Sequence, residues 1–322
     1  MTGATPSPIR IGVSACLLGD AVRYDGGHKR NAVLVALDPF VEWIKVCPEV
    51  ECGMGTPREP IQLVEQDGRI HLVGVGSGID HTVTVTSFAN RRVVELEQAD
   101  LCGYVLKSDS PSCGLAGVPI HGRGVSESQI TGNGTGLFAA ELLARFPNLP
   151  IEEESGLRDA ERRGLFIERV CAYRRLRDLF DRHWTTSDLI AFHTAHKLVL
   201  MAHSPAAYRT LGRWVAAVKG TPQQTNAADY TTQFMAALAI AATRARHVNV
   251  LQHILGYFRP VLDDGTRAGL AVAIEQYRLG AVPIDHPLGR LRACARERDI
   301  PYLRNQLYLE PDPREFLMRT GG

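Results

Sequence analysis

The stretch "VLKSDSPSCG", residues 105–114, decides how this chain is read. Val105 and Leu106 are apolar, as in a buried strand. A polar, proline-bent loop follows at once and ends on the thiol of Cys113. In parallel sheets, ligands bind beyond the carboxyl ends of the strands, so a strand opening into such a loop marks a site. Two other cysteines occupy the same kind of place. Cys16 follows the apolar run "IRIGVSA" (9–15), and Cys47 ends the apolar part of "IKVCPEV" (44–50).

Between these strands the periodicity predicts helices. They fall in "AVLVALDPFVEW" (32–43), in the later part of residues 74–101, and in "GTGLFAAELLARFP" (134–147), which Pro147 closes. Strands separated by helices imply βαβ units, hence an α/β domain with a Rossmann-like parallel sheet. The rest of the chain reads as all-helical. It includes "GLFIERVCAYRRLRDLFDRHW" (164–184), "SDLIAFHTAHKLVLMAHS" (187–204) with Ser187 or Asp188 as N-cap, and a long helix from about 226 to 258. Further helices are expected in "DDGTRAGLAVAIEQYRLG" (263–280) and "PLGRLRACARERD" (287–299).

Composition fits two globular domains. Of 322 residues, 45% are apolar and 22% charged, enough for a core in each half. No run of about 18 apolar residues offers a membrane span, and the N-terminus lacks the apolar core of a signal peptide. Seven irregularly spaced cysteines argue against a disulfide framework and for a reducing, cytoplasmic setting. The net charge of +1 hides a split. Residues 1–150 carry 12 Lys and Arg against 16 Asp and Glu, and residues 151–322 carry 24 against 19. The sign changes near "PNLPIEEESG" (147–156), which has the prolines and acidic run of a linker. The expected domains are therefore 1–150, catalytic, and 151–322, helical and basic.

Three thiols at the ends of parallel strands would converge. They could hold a zinc with one open position, or a [4Fe–4S] cluster at three of its irons, or pack as small hydrophobes. Proline, glutamate, serine and glycine beside each thiol argue against plain packing.

These segments resemble the thiouracil desulfidase (TudS) family. The resemblance rests on "VSACLLG" (13–19), "RYDGG" (23–27), "VCPEVECGMGTPREP" (46–60), "KSDSPSCG" (107–114) and "GNGTGLFA" (132–139), and it covers roughly residues 9–150. The helical half, through "LIAFHTAHKLVLMAHSPAAYRTLG" (189–212) and "YLRNQLYLEPDP" (302–313), resembles that of two-domain, RudS-type tRNA 4-thiouridine desulfidases. The resemblance implies a [4Fe–4S] cluster held by Cys16, Cys47 and Cys113, whose fourth iron takes the substrate sulfur. It also implies an acid/base role for Glu49 and a catalytic role for Ser110. Cys52, a further thiol near Cys47, reads as structural or a bystander.

That chemistry is physically sound. A thiophilic Lewis acid polarises a C=S bond, and a carboxylate can take a proton from the attacking water. Anion-binding candidates are Arg58 and the glycines Gly132, Gly134 and Gly136, which precede a helix. Arg162, Arg163, Arg174 and Arg175 belong to an arginine-rich run suited to phosphate-backbone contact. His193 and His196 read as packing or partner contacts rather than metal ligands. The expected activity is desulfuration of 4-thiouridine in tRNA. Alternatives are free thiouracil or 4-thio-UMP as substrate, or a non-catalytic iron–sulfur or zinc module that binds RNA or senses redox state. No protein partner can be inferred.

Overall fold

The structure is a computed structural model, and it describes residues 8–122, 130–218 and 223–320. It divides into two compact units: residues Met1–Arg174 with Leu317–Gly322, and Arg175–Phe316.

The first unit begins with β1 (Ile9–Ser14), α1 (Ala32–Leu37), β2 (Val41–Val46) and the short α2 (Pro48–Glu51). It continues through β3 (Ile61–Gln66), β4 (Arg69–Gly74), α3 (Thr82–Glu97), β5 (Leu101–Leu106), β6 (Val118–Gly122), β7 (Ile130–Gly134), α4 (Leu137–Arg145) and β8 (Ile151–Glu153). The main sheet has the order β2-β1-β5-β8 and is parallel throughout. Its central strands are buried almost end to end, β5 at every residue. Continuous apolar strands of this kind belong to a parallel sheet covered on both faces. The fold class expected from the sequence is thus present.

Two details differ from expectation. The helix read over 32–43 ends at Leu37, and Val41–Trp43 begin the β-branched, aromatic strand β2. A second sheet, ordered β4-β3-β6-β7, is also present. Its β3–β4 hairpin turns on Asp67 and Gly68, both with positive φ (51° and 74°). An Asp-Gly pair between alternating residues is the sequence mark of such a turn, and it went unread.

The helix α5 (Ala160–Phe180) starts in the first unit, and the division falls inside it. The sequence placed the division near residue 150, at the prolines. The difference has a packing cause. Phe166, Ile167, Val170 and Cys171 join the core built on β1 and β5, as does Met318 from α14 (Pro313–Thr320). A Cβ on Gly103 would come within 2.7 Å of Val170, so helix and strand are in close contact. The presumed linker also supplies β8, which pairs with β5.

The second unit is helical: α6 (Thr186–Ala195), α7 (Lys197–His203), α8 (Pro205–Ala217), α9 (Gln223–Leu238), α10 (Arg244–Tyr257), α11 (Asp264–Arg278), α12 (Asp285–Glu297) and α13 (Pro301–Arg304). Helix starts follow side-chain caps at Thr185, Ser204, Thr243 and Asp263. At α6 the cap is Thr185, not Ser187 or Asp188. Asp188 closes the reciprocal bond of a capping box. The long helix expected over 226–258 is two, because Thr243 caps a new start at Arg244. Among the described residues, no helix is long and apolar enough to cross a membrane. Residues 1–7 lie outside the described residues.

Candidate active site

The carboxyl ends of β1, β2 and β5 open on one cavity of about 580 Å³. Cys16, Cys47, Glu49, Arg58, Lys107, Ser110, Cys113 and His121 all line it. The three sequence-predicted thiols are therefore together.

Each thiol is held by local structure. Cys16 sits in a single 3₁₀ turn, Ala15–Leu18, closed by Gly19 in the left-handed region. Cys47 is the N-cap residue of α2, where Pro48 fixes the first turn, and its backbone N–H donates to Glu51 Oε1 (2.8 Å). Cys113 lies in a tight turn after β5. The Ser110 hydroxyl oxygen accepts from the N–H of Ser112 (3.3 Å) and of Cys113 (3.1 Å), and Gly114 N–H donates to the Ser110 carbonyl (2.7 Å).

Burial raises the Cys16 thiol to about 11, with Cys47 adding to the rise. Burial likewise raises Cys47. It raises Cys113 well above the usual thiol range, with Glu49, Cys47 and Cys16 adding to the effect. Three crowded thiols, two buried and one half-buried, disfavour the thiolate unless a cationic centre sits among them. Among the described residues, no three His, Cys, Asp or Glu side chains close on one point as ligands of a single ion do. The three thiols line one cavity, and a set of three thiolate donors suits a soft, thiolate-bound group.

Cys52 does not line the cavity. Its thiol donates to the Glu49 carbonyl (3.3 Å) and packs beside the hydrophobic cluster of the second sheet.

Glu49 and Arg58 form a nearly buried ion pair, with 14% and 6% of their side chains exposed. Arg58 Nε and Nη2 both donate to Glu49 Oε2, the first at 2.9 Å. Arg58 Nη1 donates to the carbonyls of Val22 (3.1 Å) and Gly55 (2.8 Å). The expectation of Arg58 as an anion binder is corrected: its donors are spent on Glu49 and the backbone. Glu49 keeps Oε1, which makes no hydrogen bond within the described residues.

The glycine cradle is corrected too. Gly132 and Gly134 lie on β7, paired with β6. Gly136 precedes α4, but the helix's first N–H groups already donate inward. Leu137 donates to the Pro111 carbonyl (3.1 Å), and Phe138 (2.9 Å) and Ala139 (3.2 Å) donate to that of Ser112. A Cβ at Gly136 would lie 2.5 Å from the Ser112 carbonyl carbon. The glycine lets α4 hold the Cys113 turn and leaves no N–H for an anion.

The arginine run is corrected in part. Arg174 is buried and paired with Asp100 (2.6 Å). Arg175 donates to Glu315 (2.8 Å) and His196 (3.3 Å). Arg163 donates to the Leu157 carbonyl (3.0 Å), and the exposed Arg162 pairs with Glu152 (2.7 Å). These side chains turn toward their own chain, which removes Arg174 and Arg175 as open phosphate contacts. His196 is buried and bonded through Nδ1 to the Phe192 carbonyl (2.8 Å), a packing role.

Sequence reasoning missed three features of the cavity. Lys107 pairs with the buried Glu154 (2.7 Å), which also accepts from the Ser108 N–H (2.7 Å) and hydroxyl (2.9 Å). His121 lies on β6, a strand not read, and its buried Nδ1 has no hydrogen-bond partner. The Arg23 guanidinium lies over the Tyr24 ring (5.2 Å), and both line the cavity. Nothing in residue spacing marks the first two.

A family model for 2-thiouracil desulfurase matches residues 11–154, and one for "Protein of unknown function (DUF1722)" matches residues 197–313. The uncharacterized protein YbgA of Escherichia coli (strain K12) is 35% identical over 158 residues, 48% of this chain and 92% of that protein. The uncharacterized protein YbbK of Bacillus subtilis (strain 168) is 32% identical over 127 residues, 38% of this chain and 83% of that protein. Among solved structures, the [4Fe-4S]-dependent thiouracil desulfidase TudS is 34% identical, covering 47% of this chain and 93% of that one, with a TM-score of 0.38. With its matching segment carrying all three cavity thiols, Glu49 and Ser110, the chain belongs to the 2-thiouracil desulfurase family.

Proposed function

We propose that the chain removes sulfur from 4-thiouridine in tRNA, giving uridine and sulfide, with a [4Fe–4S] cluster held by Cys16, Cys47 and Cys113. The observation that carries the chemistry is the convergence of three thiols, Glu49 and Ser110 on one cavity. The cluster supplies an open, thiophilic iron for the sulfur of a C=S group.

The chain's own residues supply the remainder. Arg58 fixes Glu49 through Oε2, leaving Oε1 to take a proton from water as the oxygen attacks the ring carbon. Ser110 accepts two backbone bonds, so its O–H is left to donate into the cavity and orient the base. Lys107, neutralised by Glu154, stiffens the floor beside Ser108 without adding net charge. Water and the thiocarbonyl exchange oxygen for sulfur, and the two protons of water leave on the sulfide.

Charge supports a polynucleotide substrate. Counted on the structural units, the first carries 18 Lys and Arg against 22 Asp and Glu, and the second 18 against 13. The split read from the sequence thus survives the shifted boundary. An acidic catalytic unit repels RNA at long range, and a basic partner unit offsets that. The test is anaerobic reconstitution with iron and sulfide, then turnover of 4-thiouridine-containing tRNA beside free 4-thiouracil. Faster turnover of tRNA, weakening with salt, supports the reading. Turnover of the free base alone would assign a small-molecule desulfidase.

A further inference from the structure

The second unit holds a cavity of its own, about 720 Å³, between α6, α7 and α8. Three cations line it: Lys197, Arg209 and Arg213. None of them makes an ion pair or hydrogen bond with the described residues. Like charges gathered around a hollow without acids repel one another, and an anion relieves that cost.

A second, independent feature points the same way. His193 is 3% exposed, yet its Nε2 has no hydrogen-bond partner. Its Nδ1 lies 3.0 Å from the hydroxyl of the buried Tyr230. Burial, with Lys197 adding, pushes the ring down to about 4, so it is neutral near pH 7. In the tautomer where the Tyr230 hydroxyl donates to Nδ1, the proton sits on Nε2, a donor on a residue that lines the cavity. Position 212 opposite is glycine. A Cβ there would stand 3.7 Å from Nε2, so the residue beside this nitrogen carries no side chain, in mid-helix, where glycine is otherwise unfavourable. A buried donor without a partner is rare enough to need an explanation, and a ligand acceptor supplies one.

The remaining wall identifies the rest of the ligand. Ile190, Val215 and Tyr208 give an apolar, partly aromatic surface. The hollow is far larger than a phosphate alone. We infer that this cavity binds a nucleotide, its phosphoryl group held by Lys197, Arg209, Arg213 and the Nε2–H of His193, its ring against Ile190, Val215 and Tyr208. The nucleotide is either free or one residue of an RNA strand. The site is separate from the thiol cavity, and its test needs no iron, so its failure leaves the desulfidase reading untouched.

The test is equilibrium binding to the full chain without cluster. Calorimetry would use UMP, uridine and inorganic phosphate, and fluorescence anisotropy a short labelled single-stranded RNA. The exposed Arg209→Ala and Arg213→Ala leave the fold intact, and each should weaken binding about tenfold or more. Gly212→Leu should fill the space before Nε2 and abolish binding while the circular dichroism melt persists. Binding of UMP assigns a free nucleotide, and binding of RNA alone assigns a nucleotide within a strand. Uridine binding as tightly as UMP, no binding by any probe, or equal binding by all three variants would overturn the inference.

Discussion

The two cavities use charge in opposite ways. In the first unit two of the cations that line the cavity are matched by nearly buried acids: Arg58 by Glu49, Lys107 by Glu154. What gathers beside those pairs is sulfur. In the second unit Lys197, Arg209 and Arg213 meet no acid among the described residues. The first site gathers soft, polarisable sulfur donors. The second has an electrostatic vacancy that only an anion fills. A sequence scan counts both as polar patches, and pairing alone separates them.

The sharpest way to break this contrast is to remove sulfur. Changing Cys16, Cys47 or Cys113 to Ala should abolish bound iron and the visible absorption of reconstituted protein, whereas Cys52→Ala should retain both. Iron content per chain decides it. Loss in Cys52→Ala with retention in Cys47→Ala would disprove the ligand set.

Next in size is the paired acid. Glu49→Gln should keep the iron and lower kcat on a thio-base by a factor of about 10²–10⁴. Arg58→Met should lower it less, because the carboxylate remains but loses its anchor. Equal iron and equal kcat in Glu49→Gln would remove that residue from the chemistry.

The unmatched cavity gives a smaller, pH-dependent effect. The His193 pKa lies near 4 when folded, against 6.5 for a free ring, so the unfolded chain binds the proton first as pH falls. Stability should be complete above about pH 6.5 and fall toward pH 4, by about 2–3 kcal/mol from this group. Urea melts of the wild type and His193→Gln at pH 7.5 and 4.5 measure it. The variant should lose less on acidification, and an identical loss would contradict the buried neutral ring.

The smallest effect concerns Arg162. Its exposed pair with Glu152 is worth about 0–1 kcal/mol, so Arg162→Ala should leave the melt nearly unchanged. If this side chain also meets a phosphate, the salt slope of tRNA binding should drop by about one. An unchanged slope would leave the second unit's open cations to account for attraction.

The sequence disclosed the parallel sheet and its thiols because both rest on local pattern. An apolar run ending in "SDSPSCG" is legible wherever it folds. The β3–β4 hairpin was also local, announced by Asp67-Gly68, and was simply passed over. Other features were not local. Lys107 and Glu154 are 47 residues apart, and Arg174 meets Asp100 across 74. Whether an arginine on a helix faces solvent or an acid from a distant strand is a tertiary fact. That is why the run on α5 reads as an RNA face, although Arg174 is buried against Asp100 and Arg175 donates to Glu315. The compact units divide further along the chain for a related reason: prolines and acids at 147–156 look like a linker, yet β8 pairs with β5.

Met318 has a consequence for how the protein is made. It is 1% exposed in the core that Ile11, Val105 and Val170 build. The ribosome must therefore emit the whole second unit before the first can be completed. At about 5–20 residues per second, the half-built catalytic unit waits on the order of ten seconds with part of its core open to water. A nascent chain stalled before Leu317 would be a client for chaperones at that gap, however well its helical unit had folded.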